Sequence, residues 1–255
     1  MSGQIDSDVV GGVQTVRIVR PDKRGAVTQE MYLALTAAFT AAEADPSVRI
    51  IRVCGAGGAF TAGNDLDDFL AGGALRPDGP TMGFLRTVPR STKLLVAEVD
   101  GPAVGIGTTL LLHCDLVYAT ERSKLGLPFV NLGVVPEFGS SLLLPRRVGP
   151  AAAARLVYFG EPFGAAEAAR LGIVTEVLAD AEALTARVDD RIAALLAQPP
   201  LALAASRALL HDPQDTELLE RVELEGRIFA ERLESEESRA AIAARMPGLV
   251  RRPGA

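Results

Sequence analysis

Residues 13–19, VQTVRIV, alternate apolar and polar side chains and are rich in β-branched types, which predicts a half-buried strand. RPDKRGAV turns the chain, and Thr28 then heads a helical run to about Ala44, ended by Asp45-Pro46. Residues 48–55 form a second strand, followed by the glycine-rich GAGGAFTAGNDLDDFL, which leads into a short helix. The stretch 71–80 lacks any period and is expected to be mobile, before a helix near 81–90 and a strand at 93–99. DGPAVGIGTTLLLHCDLVYAT repeats the unit: a tight glycine loop, a helix, then a strand. Two such units side by side predict a layered α/β core. Beyond residue 139 the periods are helical at 139–147, 150–159, 164–171 and 181–197, with one strand-like piece at 172–178. From Pro199-Pro200 onward the chain reads as amphipathic helices, so a boundary falls near residue 195.

Composition narrows the class. The 255 residues are 48% hydrophobic and 23% charged, with a formal net charge of −6, and the short basic clusters leave no footprint for nucleic acid. No segment reaches membrane-spanning length, and the polar opening MSGQIDSDVVGG is not expected to act as a signal peptide. Cys54 and Cys114 make no disulfide framework, and the C-terminal RRPGA is no peroxisomal address; a cytoplasmic protein is expected.

The glycine loops carry the first candidate chemistry. Gly55, Gly57, Gly58 and Gly63 allow turns closed to other residues, and Asn64-Asp65 stand where a helix begins, so N–H groups there lack intrahelical partners. Two readings stay open: an anion or oxyanion site, or a tight turn with Asp65 as its helix cap. The second loop, GPAVGIGTTL, lacks the full glycine spacing and the later acid of a dinucleotide fingerprint, but it leaves a free N–H at Ile106. Two such donors converging on one oxygen in a dry site lower a barrier by roughly 3–4 kcal/mol each.

Taken in order and spacing, RPDKRGAVTQEMY, GAFTAGNDLDDF, VDGPAVGIGTTLLLHCDLVYA, LGLPFVNLGVVPEFGSS and GEPFGAAEAARLGIVTEVL resemble the crotonase, or enoyl-CoA hydratase/isomerase, superfamily. The resemblance implies a crotonase-like α/β spiral of β-β-α units with two roughly perpendicular sheets. It divides the chain into a core at 1–195 and a helical C-terminal trimerisation part at 196–255, and it implies homotrimers or hexamers. It also implies an acyl-CoA thioester substrate, no separate cofactor and no metal. The Asn64 and Ile106 N–H groups become the oxyanion hole. Lys23 and Arg24 stand near the CoA phosphates, and Ala62, Gly63, Asn64, Asp65, Leu66, Gly105 and Phe129 contact the substrate.

Departures within the resemblance choose the branch. Hydratases of the family carry glutamates where this chain has Thr109 and Phe129, and neither can move a proton at neutral pH. The peroxisomal-type Δ3,Δ2-enoyl-CoA isomerases instead carry one base in a PF…LG…PE…SS…P pattern. This chain reproduces that pattern with Pro128, Phe129, Leu132, Gly133, Pro136, Glu137, Ser140, Ser141 and Pro145. Glu137 falls on the base, with Phe129, Val135 and Phe138 as its apolar wall. Two alternatives stay open: a hydratase-type lyase with other acid/base groups, and an inactive acyl-CoA-binding member. His113 reads as a satisfied buried residue, His211 as a charge complement at a helix end, and Glu98 as a structural hydrogen-bonding acid.

Overall fold

The computed structural model describes residues 3–68 and 75–245. The first strand, β1 (Gln4–Val10), turns through Gly11 and Gly12, both at positive φ, and pairs antiparallel with β2 (Val13–Val19). From β2 the sheet continues in parallel through β3 (Ile50–Gly55), β4 (Leu94–Val99), β6 (Leu116–Thr120) and β9 (Glu176–Leu178). A smaller sheet pairs β5 (Pro102–Val104) with β7 (Lys124–Gly126) and β7 with β8 (Phe163–Gly164). These two sheets and the helical C-terminal region form the α/β architecture expected.

The parallel strands read as nearly unbroken apolar runs because both faces are covered. Helix α1 (Gln29–Ala44), its first turn capped by the Thr28 hydroxyl, lays Met31, Tyr32, Leu35, Ala38, Phe39 and Ala42 on one face. Helix α8 (Ala181–Leu196), capped by Asp180, covers the other with Leu184, Val188 and Ile192 against Ile50, Val96 and Tyr118. Between them run α2 (Leu66–Asp68), α3 (Pro80–Thr87), α4 (Ile106–Leu111), α5 (Ser140–Val148), α6 (Pro150–Phe159) and α7 (Ala165–Arg170). Helices α9 (Pro200–Leu210), α10 (Thr216–Leu233) and α11 (Glu236–Arg245) follow, and Leu218, Val222 and Phe229 of α10 join the main core.

The strands differ from the sequence pattern in three places. β1 was not expected, because an exposed edge strand carries no buried stripe to betray it. β9 is shorter than its apolar pattern: the Ile173 and Val174 N–H groups bond back to Ala168 O at the end of α7, not to the sheet. The small sheet is built of strands too short to set up a period. The loose stretch at 71–80 falls partly on residues 69–74, and the end of the C-terminal part on 246–255; both lie outside the described residues.

Candidate active site

The first glycine loop is threaded between two backbone bridges. Thr61 pairs with Ala103 of β5, and Asn64 pairs with Val27 ahead of α1, both in parallel. At the second bridge the Val27 N–H donates to Gly63 O at 2.8 Å and the Asp65 N–H donates to Val27 O at 2.8 Å. That pattern uses the groups flanking Asn64 and leaves the Asn64 N–H turned away from the bridge. The two loops lie so close that a Cβ on Gly63, at φ +95, would stand 3.0 Å from Val104 O.

The second loop delivers the second amide. Gly105 adopts φ 55 and ψ −116, a conformation for glycine, and its N–H is held by Gly126 O at 2.9 Å. Ile106 then opens α4, so its N–H has no intrahelical acceptor. Asn64 and Ile106 line one cavity of about 240 Å³, together with Ala62, Gly63, Leu66, Gly105 and Phe129. Leu132 and Val134 add apolar wall, and Phe229, Leu233, Ile242 and Arg245 of α10 and α11 close the far side. Phe129 meets Phe229 edge to face at 6.4 Å.

Asp65, Lys23 and Arg24 lie outside that lining. The Asp65 carboxylate accepts the Asp68 N–H at 3.0 Å, capping α2, and meets the Arg20 guanidinium at 2.7 Å. Burial works against its charge, but the Asp68 N–H and Arg20 outweigh it and hold the carboxyl below its ordinary range. The capping role read from the sequence is therefore its structural one. Lys23 and Arg24 have exposed side chains, and Arg24 touches the first loop through its carbonyl, which accepts the Ala62 N–H at 2.9 Å.

Glu137 is 1% exposed. The Thr109 hydroxyl donates to Glu137 Oε1 at 2.6 Å, and Thr109 stands one helical turn after Ile106. Glu137 does not itself line the cavity; its link to the amide-bearing segment is the Thr109 hydroxyl, one turn after Ile106. Tyr32, also fully buried, donates its hydroxyl to Asn64 Oδ1 at 2.5 Å. Burial and then the nearby Glu137 charge push that phenol well above its ordinary pKa, so it stays a donor. Burial likewise raises Glu137 to about 8; the Thr109 hydrogen bond pulls it down, and the Glu225 carboxylate pushes it up. A carboxyl titrating so close to neutrality is suited to taking a proton and giving it back.

The turn after Glu137 is unusual. Phe138 takes a left-handed φ of 66, and Gly139 follows at φ 71. The Ser140 hydroxyl donates to Glu137 O at 2.6 Å, and His113 Nε2–H donates to Phe138 O at 2.8 Å while its ring packs 4.1 Å from the Phe138 ring. The motif glycines seat the C-terminal helices: a Cβ on Gly133 would stand 2.7 Å from Ser238 Cα of α11, and one on Gly139 would stand 2.4 Å from Leu218 Cδ1 of α10. Of the expected wall, Phe129 lines the cavity, Phe138 is fully buried, and Val135 is half-buried against the main core.

The remaining side chains separate cleanly. His113 is fully buried and held neutral, its pKa pulled to about 3 by burial, but only one ring nitrogen is bonded, so it is half satisfied. His211 does not supply the expected positive charge at the end of α9, because burial and then Arg207 favour its neutral form. Glu98 is structural, accepting from Arg52 Nε at 2.7 Å and from the Thr185 hydroxyl at 2.6 Å. Sequence reasoning missed Tyr32, the Thr109–Glu137 bond and Glu225. Among the described residues no group of three or more His, Cys, Asp or Glu converges as a metal site requires, and no single helix is long and apolar enough to cross a membrane.

The family model "Enoyl-CoA hydratase/isomerase" matches residues 8–246. "Enoyl-CoA delta isomerase 2" of Rattus norvegicus is 35% identical over 82% of this chain and 54% of its own length. The chain spans about half the length of that relative and of its human counterpart, which it covers to 52%. "Probable enoyl-CoA hydratase" of Bacillus subtilis is 31% identical over 86% of each chain. Among solved structures, OdaA of Pseudomonas aeruginosa superposes with a TM-score of 0.91 at 40% identity, covering 95% of this chain and 98% of its own.

Proposed function

The chain belongs to the enoyl-CoA hydratase/isomerase, or crotonase, family, and within it we propose that it is a Δ3,Δ2-enoyl-CoA isomerase with Glu137 as its single base. The family's acyl-CoA thioester is the substrate. The observation that carries the reading is one buried carboxyl, raised to about 8 by desolvation and bonded to Thr109 on the helix that Ile106 opens, beside a cavity lined by two amides free of main-chain partners.

In the proposed reaction the thioester oxygen accepts the Asn64 and Ile106 N–H groups. Ionised Glu137, turned from its buried seat into the cavity, takes a proton from C2 of a 3-enoyl chain, and the electron pair delocalises over the C3–C4 double bond and the carbonyl to give a dienolate. The two amides meet the charge where it gathers, on the oxygen, and stabilise the transition state more than the ground state. The protonated Glu137 then returns its proton to C4, and the double bond settles between C2 and C3. C2 and C4 stand in a 1,3 relation, so one carboxyl on one face serves both. No second acid is needed, which accords with Thr109 and Phe129 at the positions where hydratases of the family carry glutamates.

The hydratase-named relative, at 31% identity, supports a second reading in which a water adds across a 2-enoyl chain. Incubation with trans-3-hexenoyl-CoA and, separately, crotonyl-CoA divides the readings. The expected outcome is isomerised product from the first and no hydrated product from the second. Glu137→Gln should lower isomerisation by about 10³-fold and leave acyl-CoA binding intact; near-normal turnover in that variant removes Glu137 from the mechanism. We also propose a homotrimer or a hexamer built from it, supported by Leu201, Leu209 and Leu210 of α9, which are 86%, 89% and 90% exposed, and a cytoplasmic location, supported by two free buried cysteines.

A further inference from the structure

Glu225 of α10 is 4% exposed and takes no part in the steps above. Its carboxylate accepts the Gly139 N–H at 2.5 Å and the Ser141 N–H at 2.8 Å. A carboxylate taken out of water is costly unless hydrogen bonds replace its hydration, and bonds to a charged acceptor are the strong ones. Both fall on the turn that begins at Glu137.

The turn's own bonds, from the Ser140 amide and hydroxyl to Glu137 O, close it but do not relieve Phe138. The left-handed region is unfavourable for a side chain as large as Phe138 by roughly 1–2 kcal/mol, so its conformation must be imposed from outside. The ties come from different segments: His113, two residues past the end of α4, on the Phe138 carbonyl, Leu218 of α10 against Gly139, and Glu225 on the amides that flank Ser140. Of these, Glu225 alone brings a negative charge.

We infer that Glu225 is a positioning residue: by clamping the Gly139 and Ser141 amides it fixes the turn that presents the Glu137 carboxyl to Thr109, on the helix that Ile106 opens. The inference rests on the reading of Glu137 as the base and deepens it. Thr109 of α4, Tyr32 of α1 and Glu225 of α10 are the polar or titratable groups that act on or respond to Glu137. Burial raises the Glu225 pKa, and the Ser141 hydroxyl and amide, the Gly139 amide and the Arg221 cation act against it by favouring the charged form. Its charge raises the proton affinity of Glu137, so the clamp carries an electrostatic signature that a purely structural tie would lack.

The test compares wild type, Glu225→Gln, Glu225→Asp and Glu137→Gln by two readouts. One is isomerase kcat and KM; the other is infrared titration of the protonated Glu137 carboxyl, its band assigned by its loss in Glu137→Gln. In Glu225→Gln one oxygen becomes an amide that faces a backbone N–H. We expect kcat to fall by about tenfold or more with KM within about twofold, and the Glu137 midpoint to move down from about 8 while burial keeps it above the ordinary glutamate range. Glu225→Asp keeps the charge but withdraws it by a methylene, so kcat should fall several-fold while the midpoint stays high. An unchanged midpoint with kcat within about twofold in Glu225→Gln overturns the inference; should that variant not fold, wild-type kcat in Glu225→Asp overturns it. The infrared arm needs no turnover, so it decides the clamp even if the isomerase reading fails. Conversely, a dead Glu137→Gln beside an unaffected Glu225→Gln keeps the base and discards the clamp.

Discussion

The two halves of the site are held by different kinds of structure. The amide half, Asn64 and Ile106, is fixed by main chain: parallel bridges to Val27 and Ala103, a Gly105 amide tied to Gly126 O, and glycines that let two loops touch. The acid half is fixed by side chains from distant segments. Thr109 holds the Glu137 carboxyl, His113 the Phe138 carbonyl, and Glu225 two amides across more than eighty positions of sequence. Main-chain scaffolding gives rigid donors that cannot rotate away as charge develops. Side-chain scaffolding gives an acid whose proton affinity depends on each neighbour. The first half should therefore fail through geometry and the second through titration.

The harshest way to break the comparison is to disturb the amide half. Gly63→Ala puts a methyl 3.0 Å from Val104 O at a φ of +95, so the loops must separate. Losing one oxyanion donor costs about 10²–10³-fold in kcat, and the strained backbone costs roughly 1–3 kcal/mol of stability. The Glu137 midpoint read from the pH dependence of kcat/KM should stay near 8. A large shift of that midpoint with kcat preserved at high pH would mean that the two halves are not separable.

A smaller effect, confined to the acid half, lies in the stability of the resting protein. The native pKa of Glu137 is raised to about 8 from an ordinary 4.5, so the folded chain holds a proton that the unfolded chain releases. The stabilisation linked to that proton is full below the unfolded value, declines as pH rises, and is gone once pH passes the folded value. Denaturant unfolding of wild type should thus show stability falling by a few kcal/mol across that window, relative to Glu137→Gln, which has no proton to lose. Parallel curves for the two proteins would mean that the acid is solvated in solution.

This division also explains what could be read in advance. The amide half was legible because its requirements are local: the glycines Gly63 and Gly105 and the helix starts just beyond Asn64 and at Ile106 are visible in a short window, although it is the Val27 bridge that frees the Asn64 amide. So were Thr28 as a cap and the strand at 13–19, each set by neighbouring residues. Glu137 was legible only through a family pattern. Thr109 was read as a missing acid, and its hydroxyl turned out to hold the acid that is present. Glu225 sat inside TELLERVELEGRIFAERL, among other glutamates on an amphipathic helix, where nothing local separates a buried carboxylate from solvated ones. β1 and the strands of the small sheet went unseen for the complementary reason: they are too exposed or too short to carry a period.

The mildest change sharpens the comparison most. Thr109→Val keeps the shape of a fully buried side chain and removes only the hydroxyl that donates to Glu137. That bond favours the charged carboxylate, so its loss should raise the midpoint of kcat/KM above about 8. At neutral pH a smaller fraction of the base is ionised, and kcat/KM should drop by less than about tenfold, because a hydrogen bond to a charged group exceeds one to a neutral group by about 1 kcal/mol. At alkaline pH, where the base is ionised in both proteins, the deficit should close, because the amides have not moved. A deficit of constant size at every pH, with the midpoint unmoved, would make Thr109 a part of the geometric scaffold and erase the distinction between an acid half that titrates and an amide half that does not.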